Sequence, residues 1–130
     1  MLWIAVGVGG ALGTMARHGV NVLVHQRWSV QRFPLGTVIV NVTGCCIIGL
    51  LAGLVISGRL PMRLYWREFV FVGLLGGFTT FSTFGLDTIV LVRSGDLTQA
   101  MTSILLQVLG GLGGVYICLA IAERVGRTIQ

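Results

Sequence analysis

Lysine is absent from this 130-residue chain, and charge of either sign is scarce: nine Arg, two Asp and two Glu. A soluble domain covers its surface with about 25% charged residues; here the share is 10%, against 55% hydrophobic. Mean hydropathy is +0.92. A soluble fold is excluded by this balance, and the chain reads as one integral membrane domain. The Arg residues cluster at the ends of apolar runs and form no basic stripe interleaved with exposed aromatics, so the basic balance does not point to nucleic acid. Cysteine is limited to Cys45, Cys46 and Cys118, each inside an apolar run with no ligand cluster beside it. Disulfide and metal-cluster readings fall away, and the thiols count as small packing groups. His18 and His25 receive neither a metal nor a proton role. The first two apolar runs hold no carboxylate, which disfavours a small proton-coupled exporter.

What is present is four long apolar runs, at about residues 2–24, 35–57, 69–92 and 97–122. Each exceeds the roughly 20 residues a helix needs to cross the hydrocarbon. The runs are continuous and not alternating, which selects helices over a β-barrel. The expected fold is all-α, a single domain over residues 1–130 with four transmembrane helices. The first run has no basic residue before it and no clean cleavage site, so it reads as an uncleaved span. Four spans put both termini on one side, with Arg59, Arg63, Arg67, Arg124 and Arg127; the other side has Arg27, Arg32 and Arg93. Five against three is a weak orientation bias and admits insertion both ways. No internal repeat is convincing, so an inverted pair of halves would need two copies about a two-fold axis in the membrane plane.

Twenty Gly are spread at helical spacings, including Gly9/Gly13, Gly49/Gly53, Gly73/Gly77 and Gly110/Gly114. In lipid such pairs let helices approach closely. Residues 76–84 differ: Gly-Gly is followed by Thr79, Thr80, Ser82 and Thr83, with Phe at 78, 81 and 84. A third helix opened at Gly76–Gly77 would offer carbonyls, hydroxyls and ring edges together. Asn41 sits inside an otherwise apolar run; its amide has two N–H groups for an anion or for a neighbouring helix. Gln107 repeats that ambiguity. Arg17 is either an end anchor or a cationic lure at the mouth of an anion path. Asp87 suits an end cap or a contact with an Arg. A rival to transport is a scaffold subunit held by Gly packing, in which the polar run would tolerate Ala and Leu.

The run Gly76-Gly77-Phe78-Thr79-Thr80-Phe81-Ser82-Thr83-Phe84 closely resembles the signature Gly-Gly-x-Thr-Thr-Phe-Ser-Thr-Phe of the Fluc family of fluoride channels, also called CrcB proteins. Three further stretches match: Gly10 to Arg17, Pro34 to Asn41, and Gly44 to Gly49. The resemblance implies a channel and not an enzyme: an antiparallel, dual-topology homodimer in the cell membrane with a broken third helix and two fluoride pores. It implies a structural Na+ at the dimer centre, held by the backbone carbonyls of Gly76 and Thr79. Phe81 and Phe84 would be the pore rings, Asn41 the pore amide, Ser82 and Thr83 part of the hydroxyl track, and Arg17 a vestibule residue. Partners would be fluoride, sodium, the bilayer and a second copy, with no nucleic acid; the role is passive fluoride export. Departures from the pattern are Asp87 where many relatives carry Glu, Gly111 where many carry Ser, and Gln107 in place of a smaller Asn or Ser.

Overall fold

The computed structural model describes residues 1–28 and 32–127, the side chains of 126 and 127 excepted. Part of the connector expected at His25–Pro34, and the charge of Arg127, lie outside the described residues. All regular structure among the described residues is helical: α1 (Leu2–Arg27), α2 (Leu35–Ile56), α3 (Leu64–Arg67), α4 (Gly76–Phe78), α5 (Phe81–Arg93) and α6 (Leu97–Arg127). Between α3 and α4 the chain winds as a wide π-helix over Glu68–Leu75. Among the described residues, three stretches are long and apolar enough to cross a membrane: Leu35–Ile56, Leu64–Arg93 and Leu97–Val125. With 26 residues α1 has the length, but Arg17, His18, His25 and Arg27 make its second half polar.

The helices pair in two seams. One joins α1 to the π-helical stretch and α4; the other joins α2 to α6. Contacts of α1 with α2 and of α5 with α6 close the bundle. The third span therefore changes partners part-way, from α1 before residue 79 to α6 after residue 80. Fully buried side chains are small, with Ala5, Val40, Ala100 and Ala122 at most 2% exposed. Leu75 and Leu91 are buried as well, but most long side chains, among them Ile4, Leu86, Leu109 and Leu112, point outward. Inside lipid the outward face gains nothing from polarity, and packing falls to residues that let backbones meet.

The seam of α1 with α4 shows how close that approach is. A methyl group on Gly77 would stand 2.5 Å from the Gly10 carbonyl oxygen and 3.0 Å from its Cα. Both are backbone atoms, so only separation of the helices relieves the clash. Gly77→Ala is therefore expected to cost about 1–3 kcal/mol, read as a lower melting temperature of the purified protein. Gly113→Ala is the control, since a methyl there meets nothing within 4 Å. In the other seam Gly49 lies against the Val115 backbone, and Cys46 against Gly114; all three cysteines are free thiols. The connector after α5 turns through Gly95 at φ +82°, a left-handed conformation that glycine adopts without steric cost. Arg32 Nη1 lies 3.1 Å from Asp96 Oδ2 and ties the two connectors on that side together. Arg32 is 68% exposed, so the pair adds little stability.

Candidate functional site: a polar interruption between two cavities

Gly76 and Gly77 stay in right-handed helix, with Gly76 at φ −63°, ψ −35°. The backbone leaves the helix two residues later, at Thr79 (φ −85°, ψ 162°) and Thr80 (φ −154°, ψ 115°). Opening was expected at the glycine pair; Gly77 instead packs on Gly10 in the seam with α1, and the threonines carry the extended backbone. Two groups stabilise that conformation. The Thr80 hydroxyl caps α5 by accepting from the Thr83 N–H at 3.3 Å, as a helix N-cap does. Asn41 reaches across from α2 and holds Thr80 at both ends. Its Oδ1 accepts from the Thr80 N–H at 2.8 Å, and its Nδ2 donates to the Thr80 carbonyl at 3.0 Å.

Backbone groups away from water need partners, and most of those released here have one. Thr79 N–H and its hydroxyl both donate to the Leu75 carbonyl at 3.0 Å. The Gly77 carbonyl accepts from Thr14 Oγ1 at 3.4 Å, and the Thr79 carbonyl from Arg17 Nη1 at 3.3 Å. Because the Thr80 N–H turns to Asn41, the Gly76 carbonyl is left without its i+4 helical partner.

A second layer lies behind Asn41. Its Nδ2 also donates to Gln107 Oε1 at 2.6 Å, and Gln107 Nε2 donates to Ser103 Oγ one turn earlier on α6 at 3.0 Å. Ser103 is fully buried and Gln107 is 9% exposed. Sequence reasoning left Gln107 unassigned. The available signal was its spacing from Ser103, four residues apart inside an apolar run and so on one helix face.

Two cavities flank the interruption in succession along α2. One, of about 430 Å³, is lined by Asn41 and Cys45 of α2, by Gly76, Thr79, Thr80, Phe81 and Phe84, and by Gln107 and Gly111 of α6. The other, of about 410 Å³, is lined by Asn21, His25, Arg32, Thr37, Thr83 and Asp87. Between them stand the hydroxyls: Thr80 Oγ1 donates to Thr83 Oγ1 at 2.9 Å and lies 3.4 Å from Ser82 Oγ. Thr83 accepts there, so its own proton is free to turn into the second cavity. Among the described residues Asp87 forms no ion pair with an Arg; it accepts from the Thr37 hydroxyl at 2.8 Å. The Phe81 and Phe84 rings are 5.6 Å apart and inclined at 58°, a tilted pair that presents ring edges as well as faces.

Of the residues singled out from sequence, the structure gathers Asn41, Gly76, Thr79, Phe81 and Phe84 around the first cavity and sets Thr83 on the second. Ser82 lies beside the Thr80 hydroxyl but lines neither of these two cavities, and Arg17 lines neither, being bonded to the Thr79 carbonyl. The chemistry on offer is a set of neutral hydrogen-bond donors and aromatic edges in mid-helix; of the two cavities only the second is lined by charged side chains, and Arg17 is engaged by the Thr79 carbonyl.

A family model described as CrcB-like protein, Camphor Resistance (CrcB), matches residues 4–119. Among curated relatives, the chain is 40% identical over 124 residues to the fluoride-specific ion channel FluC of Methylobacterium nodulans, covering 95% of this chain and 97% of that one. It is 36% identical over 123 residues to the FluC of Legionella pneumophila, covering 95% and 90%. It is 47% identical over 103 residues to the FluC of Methylobacterium radiotolerans, covering 78% and 70%.

Proposed function

Because the chain belongs to the CrcB-like family, we propose that it is a fluoride-specific channel, a path by which fluoride leaves the cell down its gradient. It is a multi-pass protein of the cell membrane and not an enzyme. Fluoride is small and holds its water tightly, so a path through apolar protein must replace that water with donors at short range. The donors must be neutral, because a fixed cation at the narrow point would hold the ion and stop conduction.

The observation that carries the reading is the two-point clamp of Asn41 on Thr80. It holds two residues of a membrane span extended. The hydroxyls of Thr80 and Thr83, the Asn41 amide and the edges of Phe81 and Phe84 thereby meet between two cavities. On this reading the ion passes from the second cavity, past Thr83 and Thr80, to Asn41 and the rings, and out along the first. Purified protein in liposomes loaded with fluoride, followed with a fluoride electrode, is expected to release fluoride; liposomes loaded with chloride are expected to retain it. Fluoride-loaded liposomes that stay full with folded protein present would end the reading.

The finer assembly belongs to the same proposal: two copies, inserted oppositely, meeting about a two-fold axis. Phe81 is 82% exposed on the single chain, a ring at the path that needs a cover, and the Arg balance between the two sides permits both orientations. The Gly76 carbonyl without its helical partner and the Thr79 carbonyl, which keeps one lone pair beside the Arg17 bond, suit a hard cation. A hard cation takes several oxygens, and two carbonyls from each of two copies give four around a shared Na+. Such an ion, when bound, offsets the converging carbonyl dipoles. Gly76 and Thr79 supply the oxygens, and Arg17 fixes the direction of the second.

A further inference from the structure

We infer that Gln107 is an internal competitor of the transported anion: its side-chain oxygen occupies the N–H of Asn41 that the anion needs, and so sets how tightly the path holds fluoride. This rests on the fluoride reading above. The count of protons leads to it. An amide nitrogen carries two. One of Asn41's goes to the Thr80 carbonyl at 3.0 Å and the other to Gln107 Oε1 at 2.6 Å. In this arrangement Asn41 has no N–H left for an ion in the cavity that it and Gln107 line.

One of the two bonds must yield when an anion arrives, and they are not equivalent. The bond to Thr80 is half of a two-point hold on extended backbone, and giving it up strands a peptide carbonyl inside the membrane. The bond to Gln107 joins two side chains, and its acceptor sits on a rotatable stem. Gln107 Oε1 therefore marks the place an anion takes on that proton. Ser103 Oγ, fully buried, keeps hold of Gln107 Nε2, so the competitor is tethered beside the site and returns when the ion leaves. A tethered acceptor competes at high effective concentration, which weakens resting occupancy and hastens release.

The test uses Q107L, which removes the acceptor and keeps most of the bulk, and Q107A, which removes both. Initial fluoride efflux from proteoliposomes is measured against fluoride concentration. Both variants are expected to lower the half-maximal concentration roughly twofold to tenfold, the factor that one net hydrogen bond represents. Where Q107L does not assemble, Q107A decides. A half-maximal concentration unchanged or raised in the assembled variants overturns the inference, because a purely structural Gln107 would lower flux without tightening binding. In wild-type protein the Asn41 side-chain amide protons are expected to shift in NMR as fluoride is added; resonances that stay put overturn it equally. A wild type that passes no fluoride removes the channel reading and this inference with it, whereas a conducting wild type with indifferent variants removes this inference alone.

Discussion

Fluoride efflux from liposomes carrying Asn41→Asp is expected to fall at least about a hundredfold. Asp has nearly the shape of Asn, so the change is chemical. The Thr80 N–H keeps its acceptor, now a carboxylate oxygen, and one half of the clamp survives. The other half inverts. Where Nδ2 donated to the Thr80 carbonyl at 3.0 Å and to Gln107 Oε1 at 2.6 Å, oxygen would face oxygen. Each buried group left without its partner costs about 1–3 kcal/mol, and every 1.4 kcal/mol is about tenfold. Gln107 can turn its amide to donate to the new carboxylate, which eases the strain on the fold. It cannot remove the negative charge from a path meant for an anion. The measurement is the initial rate with a fluoride electrode, with elution on a sizing column to show that the protein still assembles. Emptying at the wild-type rate would take Asn41 out of the path.

Phe81→Ile is expected to reduce efflux more than about tenfold while leaving the protein as stable as wild type. The two halves of that statement have separate grounds. Phe81 is 82% exposed on the single chain and its ring partner there is Phe84 at 5.6 Å, so the protomer rests little of its own packing on it, and where a second copy covers it Ile still fills the contact with apolar bulk. Ile keeps the apolar bulk and removes the electropositive ring edge. If the ring acts only as bulk, flux survives; if its edge helps replace water around the ion, flux is lost with the fold intact. Wild-type flux at wild-type melting temperature would sink the edge role, and loss of both together would move Phe81 from the path into the packing.

Much of this architecture was legible in the sequence because lipid simplifies the rules. The second run was expected at 35–57 and α2 covers Leu35–Ile56; charge-free apolar length is the whole signal there. The interruption was read two residues early, at Gly76–Gly77. Glycine marks where a helix is permitted to open, whereas the opening is fixed by partners, and these come from Asn41, some 39 residues away in the chain. The partners of polar side chains were the least legible feature. Nothing local to these residues says that the Gln107 oxygen accepts from Asn41, that Asp87 accepts from Thr37, or that Arg17 turns to the Thr79 carbonyl. All three join different spans, and the approach that allows them depends on how the glycine seams bring those spans together. Arg17 in particular reads from sequence as an end anchor or a charge at a mouth, and its bond to the Thr79 carbonyl is a partner that neither reading names.

The wide coil over Glu68–Leu75 closes its hydrogen bonds one residue further along than an α-helix does, so that stretch stores surplus chain. A deletion of one residue there can be absorbed by tightening to ordinary pitch, with the downstream phase preserved. The same deletion in α2 ahead of Asn41 has no such slack: it would rotate the preceding half of the helix by about 100° relative to the rest and part Thr37 from Asp87. Length variation in this span is therefore tolerable upstream of the threonines, where the coil acts as a splice joint.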